Sequence, residues 1–243
     1  MAITTTAVSS WKCNQTSGNL VDSIGSNTLT NVNSVPFVTG KINNGADLEL
    51  SSSQYFSIAD GSQSGLDFAG NFSISFWIKL EQLPSTAGSQ FDIVAKDNVS
   101  VSRSYSVNAQ TSDKLQLVIF NTPNQREGVT TGAFFVSGDV GNWVFVTCTY
   151  NSTTGATVIY KNASSQAVTN FGSTTTALNS TAPFSIGARF ASSVAQNFTD
   201  GVIDEVVVWS GVLSGAEVTE LYNGGAGLSY PIVLQNSNFL MFM

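Results

Sequence analysis

The stretch Phe72-Ser73-Ile74-Ser75-Phe76-Trp77-Ile78-Lys79-Leu80 alternates along its whole length, with Phe72, Ile74, Phe76, Ile78 and Leu80 in one phase. A two-residue period puts those five side chains on one face of a β-strand, and that face predicts a core. Trp77 falls in the opposite phase and points away from it. Similar runs predict strands at 54–58, 91–96, 104–109, 114–121, 143–150, 157–161, 184–189 and 201–209. Turn clusters such as Thr111-Ser112-Asp113 and Ser152-Thr153-Thr154-Gly155 lie between them, short enough for antiparallel hairpins. Many short strands with no helices between them predict a two-sheet antiparallel sandwich or a barrel.

Composition agrees. The chain has 243 residues, 42% hydrophobic and 11% aromatic, but only 10% charged. Polarity therefore falls to Ser, Thr and Asn, roughly a third of the residues, which favour strands, turns and caps over long amphipathic helices. One helix is signalled, over 215–223. Ser214 and Glu217 have capping-box spacing, Leu213 and Val218 occupy the staple positions, and Gly224 supplies a left-handed stop. No internal repeat or linker divides the chain before Pro231, so one domain over 1–230 and an apolar tail over 231–243 are expected.

Several functions are excluded or disfavoured. A net charge of −7 with nine scattered basic residues offers no stripe for a nucleic-acid backbone. There is no His, which removes the Ser-His-Asp nucleophile and most catalytic zinc sites. No apolar run reaches a membrane span, and Met1–Lys12 lacks the basic and apolar regions of a secretory signal, so general export is not expected. Cys13 and Cys148 are too few for a disulfide framework; two buried thiols and a single bridge both stand open.

Four segments, in order, resemble the laminin-G-like jelly rolls of the concanavalin A-like lectin and glucanase superfamily: Ser17–Ser23 with Gly40-Lys41, Phe72–Lys79, Asn142–Tyr150, and Gly201–Trp209 continued by Leu213-Ser214 and Leu221–Gly225. The resemblance spans residues 11–228 and implies a jelly-roll sandwich. Where such members often carry Asn-Gly in a hairpin, this chain has Asn162-Ala163, which argues against a type I′ turn there. A His common after the central-strand Trp is Val144 here.

The glycosidases of the superfamily resemble one strand bearing carboxylates at alternate positions. This chain has no such run, and Asp204 and Glu205, being adjacent on a strand, should point to opposite faces. An enzyme is therefore not expected. The resemblance implies a calcium site at Asp22, Ser23, Gly25 and Asn27, joined by Asp204; against it stands an Asx-turn at Asp22, with Asp204 accepting backbone N–H groups. For a sugar, Trp77 is a stacking candidate unless a loop covers it as a second small core. The loops around Asn124 and Arg126 and from Arg189 to Asn197 could frame a site.

The expected function is a non-enzymatic binding module, displayed on a virion and attaching to cell-surface glycans. For the apolar tail, burial in its own sandwich, in further copies of the chain and in a larger assembly with other virion proteins all stand open, and the assembly role is the one expected. A purely structural coat protein, a secreted surface lectin and a glycan hydrolase are the alternatives.

Overall fold

A computed structural model describes residues 3–121, 124–173 and 175–232. The expected apolar tail falls almost wholly beyond them, at 233–243. Two sheets face each other. One has the strand order Ser164–Ser165, Ala156–Lys161, Val144–Asn151, Phe72–Leu80, Gly201–Trp209, Asn44–Leu48 and Phe37–Thr39, with Ala7–Trp11 also paired to Gly201–Trp209. The other runs Val168–Gly172, Asn124–Thr130, Leu115–Asn121, Ser102–Ala109, Phe91–Val99, Phe184–Ile186, Tyr55–Ile58 and Thr30–Val32. Pairings within both sheets are antiparallel, except that Arg189–Ala191, hairpinned with Val194–Gln196, runs parallel to Phe91–Val99. The architecture is the expected jelly-roll sandwich.

The alternation read from Phe72–Leu80 decides both layers. Phe72, Ile74, Phe76, Ile78 and Leu80 lie in the core between the sheets, beside Trp11, Phe56, Phe91, Tyr105 and Phe184. On the outer side of the same sheet, Trp77, Phe145, Val207 and Trp209 form a second core with Leu213, Val218 and Leu221. The helix that closes it spans Gly215–Tyr222, and its capping box is formed: Ser214 N–H donates to Glu217 Oε2 at 2.8 Å and Glu217 N–H to Ser214 Oγ at 3.3 Å. The left-handed C-cap is Asn223, one residue before the expected glycine.

Three local expectations are corrected. The expected strand 184–189 breaks at Gly187, whose φ of +91° redirects the chain, so that Arg189 starts a separate short strand. Asn162 and Ala163 both have positive φ, 50° and 64°, and join Lys161 to Ser164 in a two-residue hairpin of type I′ character despite the missing glycine. Asn162 holds it, because its N–H donates to the Phe145 carbonyl and its Oδ1 accepts from the Phe145 N–H, both at 2.8 Å. Finally, Asp204 and Glu205 do not alternate. A bulge lies between Asp204 and Val207 against the Phe72–Leu80 strand, and Glu205 takes a φ of +48°. Cys13 and Cys148 are buried free thiols.

Candidate functional site

Polar residues that alternate with core residues on the ten-stranded sheet must stand on its outer face. Ser104, Ser106 and Asn108 are out of phase with the core residues Tyr105, Val107 and Ala109, as Gln116 is with Leu115 and Leu117. The register carries one row across three strands: Asp92 opposite Asn108, and Asn108 opposite Gln116. Gln116 reaches the next strand by donating to Glu127 Oε2, accepts from Gln110 at 3.0 Å, and Gln125 donates to the other Glu127 oxygen. At the opposite end Asp92 Oδ2 accepts from Asn197 at 2.9 Å and Gln90 at 3.1 Å.

Three groups in this row are left over. Asp92 Oδ1 and Asn108 Oδ1 are buried and have no hydrogen-bond partner among the described residues. Arg189 Nε lies 3.4 Å from Asp92 Oδ2, an ion contact without hydrogen-bond alignment, so its N–H is also unused. Asp92 is 0% and Asn108 2% exposed. Burial pushes the Asp92 carboxyl up to about 6, against the opposing pull of Arg189, Asn197 and Gln90. An unmatched buried acceptor costs about 1–3 kcal/mol, so two side by side are costly unless something else completes them. Phe190 and Phe198, which follow Arg189 and Asn197 in the chain, both pack on Tyr55, at centroid distances of 5.8 and 6.0 Å, and all three rings are half-buried.

The expected ligand residues divide. Arg189 belongs to this row. Trp77 does not: it is 2% exposed in the second core, stacked 5.7 Å from Tyr222 with the Lys41 ammonium 4.5 Å from its ring, and presents no face to a sugar. Arg126 pairs with the core residue Ile119, hence faces the gap between the sheets, where it donates to the Gly155 and Gly172 carbonyls at 2.8 Å. Asn124 shares that phase at the start of its strand. The useful residues of that loop are their neighbours, Gln125 and Glu127.

The calcium loop is a hydrogen-bonded turn. Asp22 Oδ1 accepts from the N–H groups of Ser10, Ile24 and Gly25 at 3.0–3.1 Å, and Oδ2 accepts from Asn27 N–H at 3.1 Å. Ser23 N–H donates to the Ser10 carbonyl at 2.7 Å. Gly25 is required by close approach, since a Cβ there would lie 2.4 Å from Asp22 Oδ2. Four N–H dipoles converging on one carboxylate are the wrong polarity for a cation, which needs free oxygen lone pairs. Asp204 has other partners: Oδ2 accepts from Ile42 N–H at 2.8 Å and Oδ1 from Glu205 N–H at 2.7 Å. These residues do not fit a calcium ion, and the Asx-turn reading describes them. Among the described residues, carboxylates converge instead at Asp47, Glu49 and Glu81, with oxygens within 4.8 Å of one another. Burial raises all three carboxyl groups, and the neighbouring carboxylates raise them further.

A sequence profile described as the concanavalin A-like lectin/glucanases superfamily matches residues 50–219. The chain belongs to that superfamily. A comparison with curated protein sequences returns no match. Among solved structures it resembles domain 4 of AbnA, a GH43 extracellular arabinanase from Geobacillus stearothermophilus, in complex with arabinotriose. The TM-score is 0.64 at 20% identity, covering 89% of this chain and 98% of that one. It also resembles the botulinum neurotoxin serotype D binding domain, with a TM-score of 0.68, 17% identity and coverage of 91% and 52%. The same serotype's ligand-binding domain in complex with N-acetylneuraminic acid gives 0.60, 16%, 90% and 50%. This chain thus spans about half the length of the neurotoxin domains. At such identities the likeness is one of fold.

Proposed function

We propose that the protein is a non-enzymatic glycan-binding module that receives sugar on the outer face of its ten-stranded sheet. The observation that carries this reading is the pair of unmatched buried acceptors, Asp92 Oδ1 and Asn108 Oδ1, beside the unused Arg189 N–H. A pyranose or furanose offers hydroxyl groups that both donate and accept, so one ring can complete all three. Its C–H faces suit the half-buried Tyr55, Phe190 and Phe198. Arg189 lies over Asp92, 21% exposed and without a formed hydrogen bond to it, so its guanidinium is available to bond the ligand. The arabinanase domain carrying arabinotriose and the neurotoxin domain carrying N-acetylneuraminic acid lend the reading support by analogy of fold.

The carboxylates have other work here. Asp92 is held through Oδ2 by Asn197 and Gln90, its Oδ1 being the atom offered to the sugar, and Glu127 is held by Gln116 and Gln125. Neither stands as one of two free groups flanking a bond to be cleaved. We further infer that the module is displayed on an assembled particle such as a virion, in keeping with a surface rich in Ser, Thr and Asn and an apolar C-terminal sequence. A glycan microarray probed with the wild type and with Asn108→Ala tests the binding function. Glycan binding that is lost in the folded variant supports it, and a wild type that binds no glycan refutes it.

A further inference from the structure

We propose, resting on the glycan-binding reading, that the site selects a neutral sugar, bonding Asp92 Oδ1 and Asn108 Oδ1 to two of its hydroxyl groups and rejecting sialylated or sulfated glycans. The argument is a count of donors and acceptors. Among the buried side-chain atoms of this row, two acceptors and one donor, Arg189 Nε–H, lack partners. A hydroxyl fills the first two by donating, whereas a carboxylate or sulfate only accepts and would leave both unsatisfied beside a like charge. Directly paired residues on neighbouring strands have Cβ atoms about 4.5–5.5 Å apart, a span that two hydroxyls of one ring can bridge.

The other charges near this face point the same way. Arg103 is closed to an anionic ligand: its Nε and a terminal nitrogen donate to the two Asp97 oxygens at 2.7 and 2.8 Å, and its guanidinium lies 3.6 Å from the Phe120 ring centroid. Glu127 adds a negative charge at the far end of the row. Lys114 is in phase with Gln116, but it precedes a strand two spacings from that of Asp92, about 10 Å away. Arg126 faces the opposite side of the sheet. An acidic sugar seated on Asp92 would therefore meet carboxylates and a single, shared guanidinium.

The test is an array of neutral oligosaccharides together with the same backbones bearing sialic acid or sulfate, probed with the wild type and with Asp92→Asn, the fold of each checked by circular dichroism. We expect the wild type to bind neutral members at least tenfold more strongly than their acidic counterparts, and Asp92→Asn to lose at least tenfold of that binding. Preference for the acidic members would overturn this inference while leaving the glycan-binding reading intact. Neutral binding unchanged in Asp92→Asn would overturn the assigned site. Binding to neither set would overturn both.

Discussion

Replacing Asp92 by Asn should stabilise the protein at neutral and alkaline pH while weakening ligand binding. The Asp92 carboxyl is fully buried and raised from 3.8 to about 6, because burial penalises its charged form more than Arg189, Asn197 and Gln90 favour it. Between those two values the folded chain holds a proton that the unfolded chain has released. Stability therefore falls as pH rises through this window, and above it the charged form costs the folded state about 3 kcal/mol, as an upper figure. An amide keeps the shape, offers its oxygen to Asn197 and Gln90, and carries no charge. Its advantage over the wild type should then grow by roughly 2 kcal/mol between about pH 4 and pH 8. Urea denaturation of both proteins at the two pH values measures this directly. The difference between them cancels Asp204 and Glu205, which burial raises to about 7 and 8 and which titrate alike in both. A variant that is less stable at pH 8 by the same margin as at pH 4 would refute the view that Asp92 is a costly buried charge retained for a ligand.

Other substitutions test the frame around the site. Glu217 accepts from Ser214, Thr4 and Thr5, and although burial raises its carboxyl these hydrogen bonds prevail and hold it at about 2. Its contribution is complete above the unfolded value of 4.5 and lost as pH falls toward 2, so Glu217→Gln should cost about 1.5–3 kcal/mol at neutral pH; an unchanged melting temperature would contradict this. Trp77→Ala should lose about 3–5 kcal/mol by opening a cavity beneath the helix, whereas a loss of glycan binding with stability retained would restore Trp77 as a ligand residue. Ala163→Gly should gain about 0.5 kcal/mol in thermal unfolding, since relief of the left-handed conformation slightly exceeds the entropic cost of glycine; destabilisation would mean that the packing of Ala163 against the second core matters more.

What the sequence makes legible is whatever one segment can encode. Nine residues of strict alternation place Phe72–Leu80 with a core on one side, and Ser214 with Glu217 announces a helix within four residues. Strands of three residues, such as Thr30–Val32 and Arg189–Ala191, carry no such pattern, because their conformation comes from the partners they join. The Asp204–Glu205 bulge escaped for a related reason: alternation assumes regular pairing, and nothing in Ile-Asp-Glu-Val signals an extra residue. Trp77 was legible as pointing outward, but whether outward meant solvent depended on a helix some 140 residues later in the chain.

The site itself shows where reading along the chain ends and register begins. Asp92, Asn108, Gln116 and Glu127 lie on four different strands, and each alone is an ordinary polar residue opposite a core position. The signal was present in the series Ser104, Ser106 and Asn108, which marks a polar outer face. What no single strand could disclose is that Asp92 pairs directly with Asn108, so that two unmatched buried acceptors share one row. A sheet selected for stability alone would gain by placing a donor or an apolar pair there, as the second core does on the outer face of the other sheet. The eight-stranded sheet covers part of its outer face with tryptophan and a helix, whereas on the ten-stranded sheet Asp92 Oδ1 and Asn108 Oδ1 lie unmatched in one row beside the Arg189 guanidinium. It is this row that we propose meets a ligand rich in hydroxyl donors.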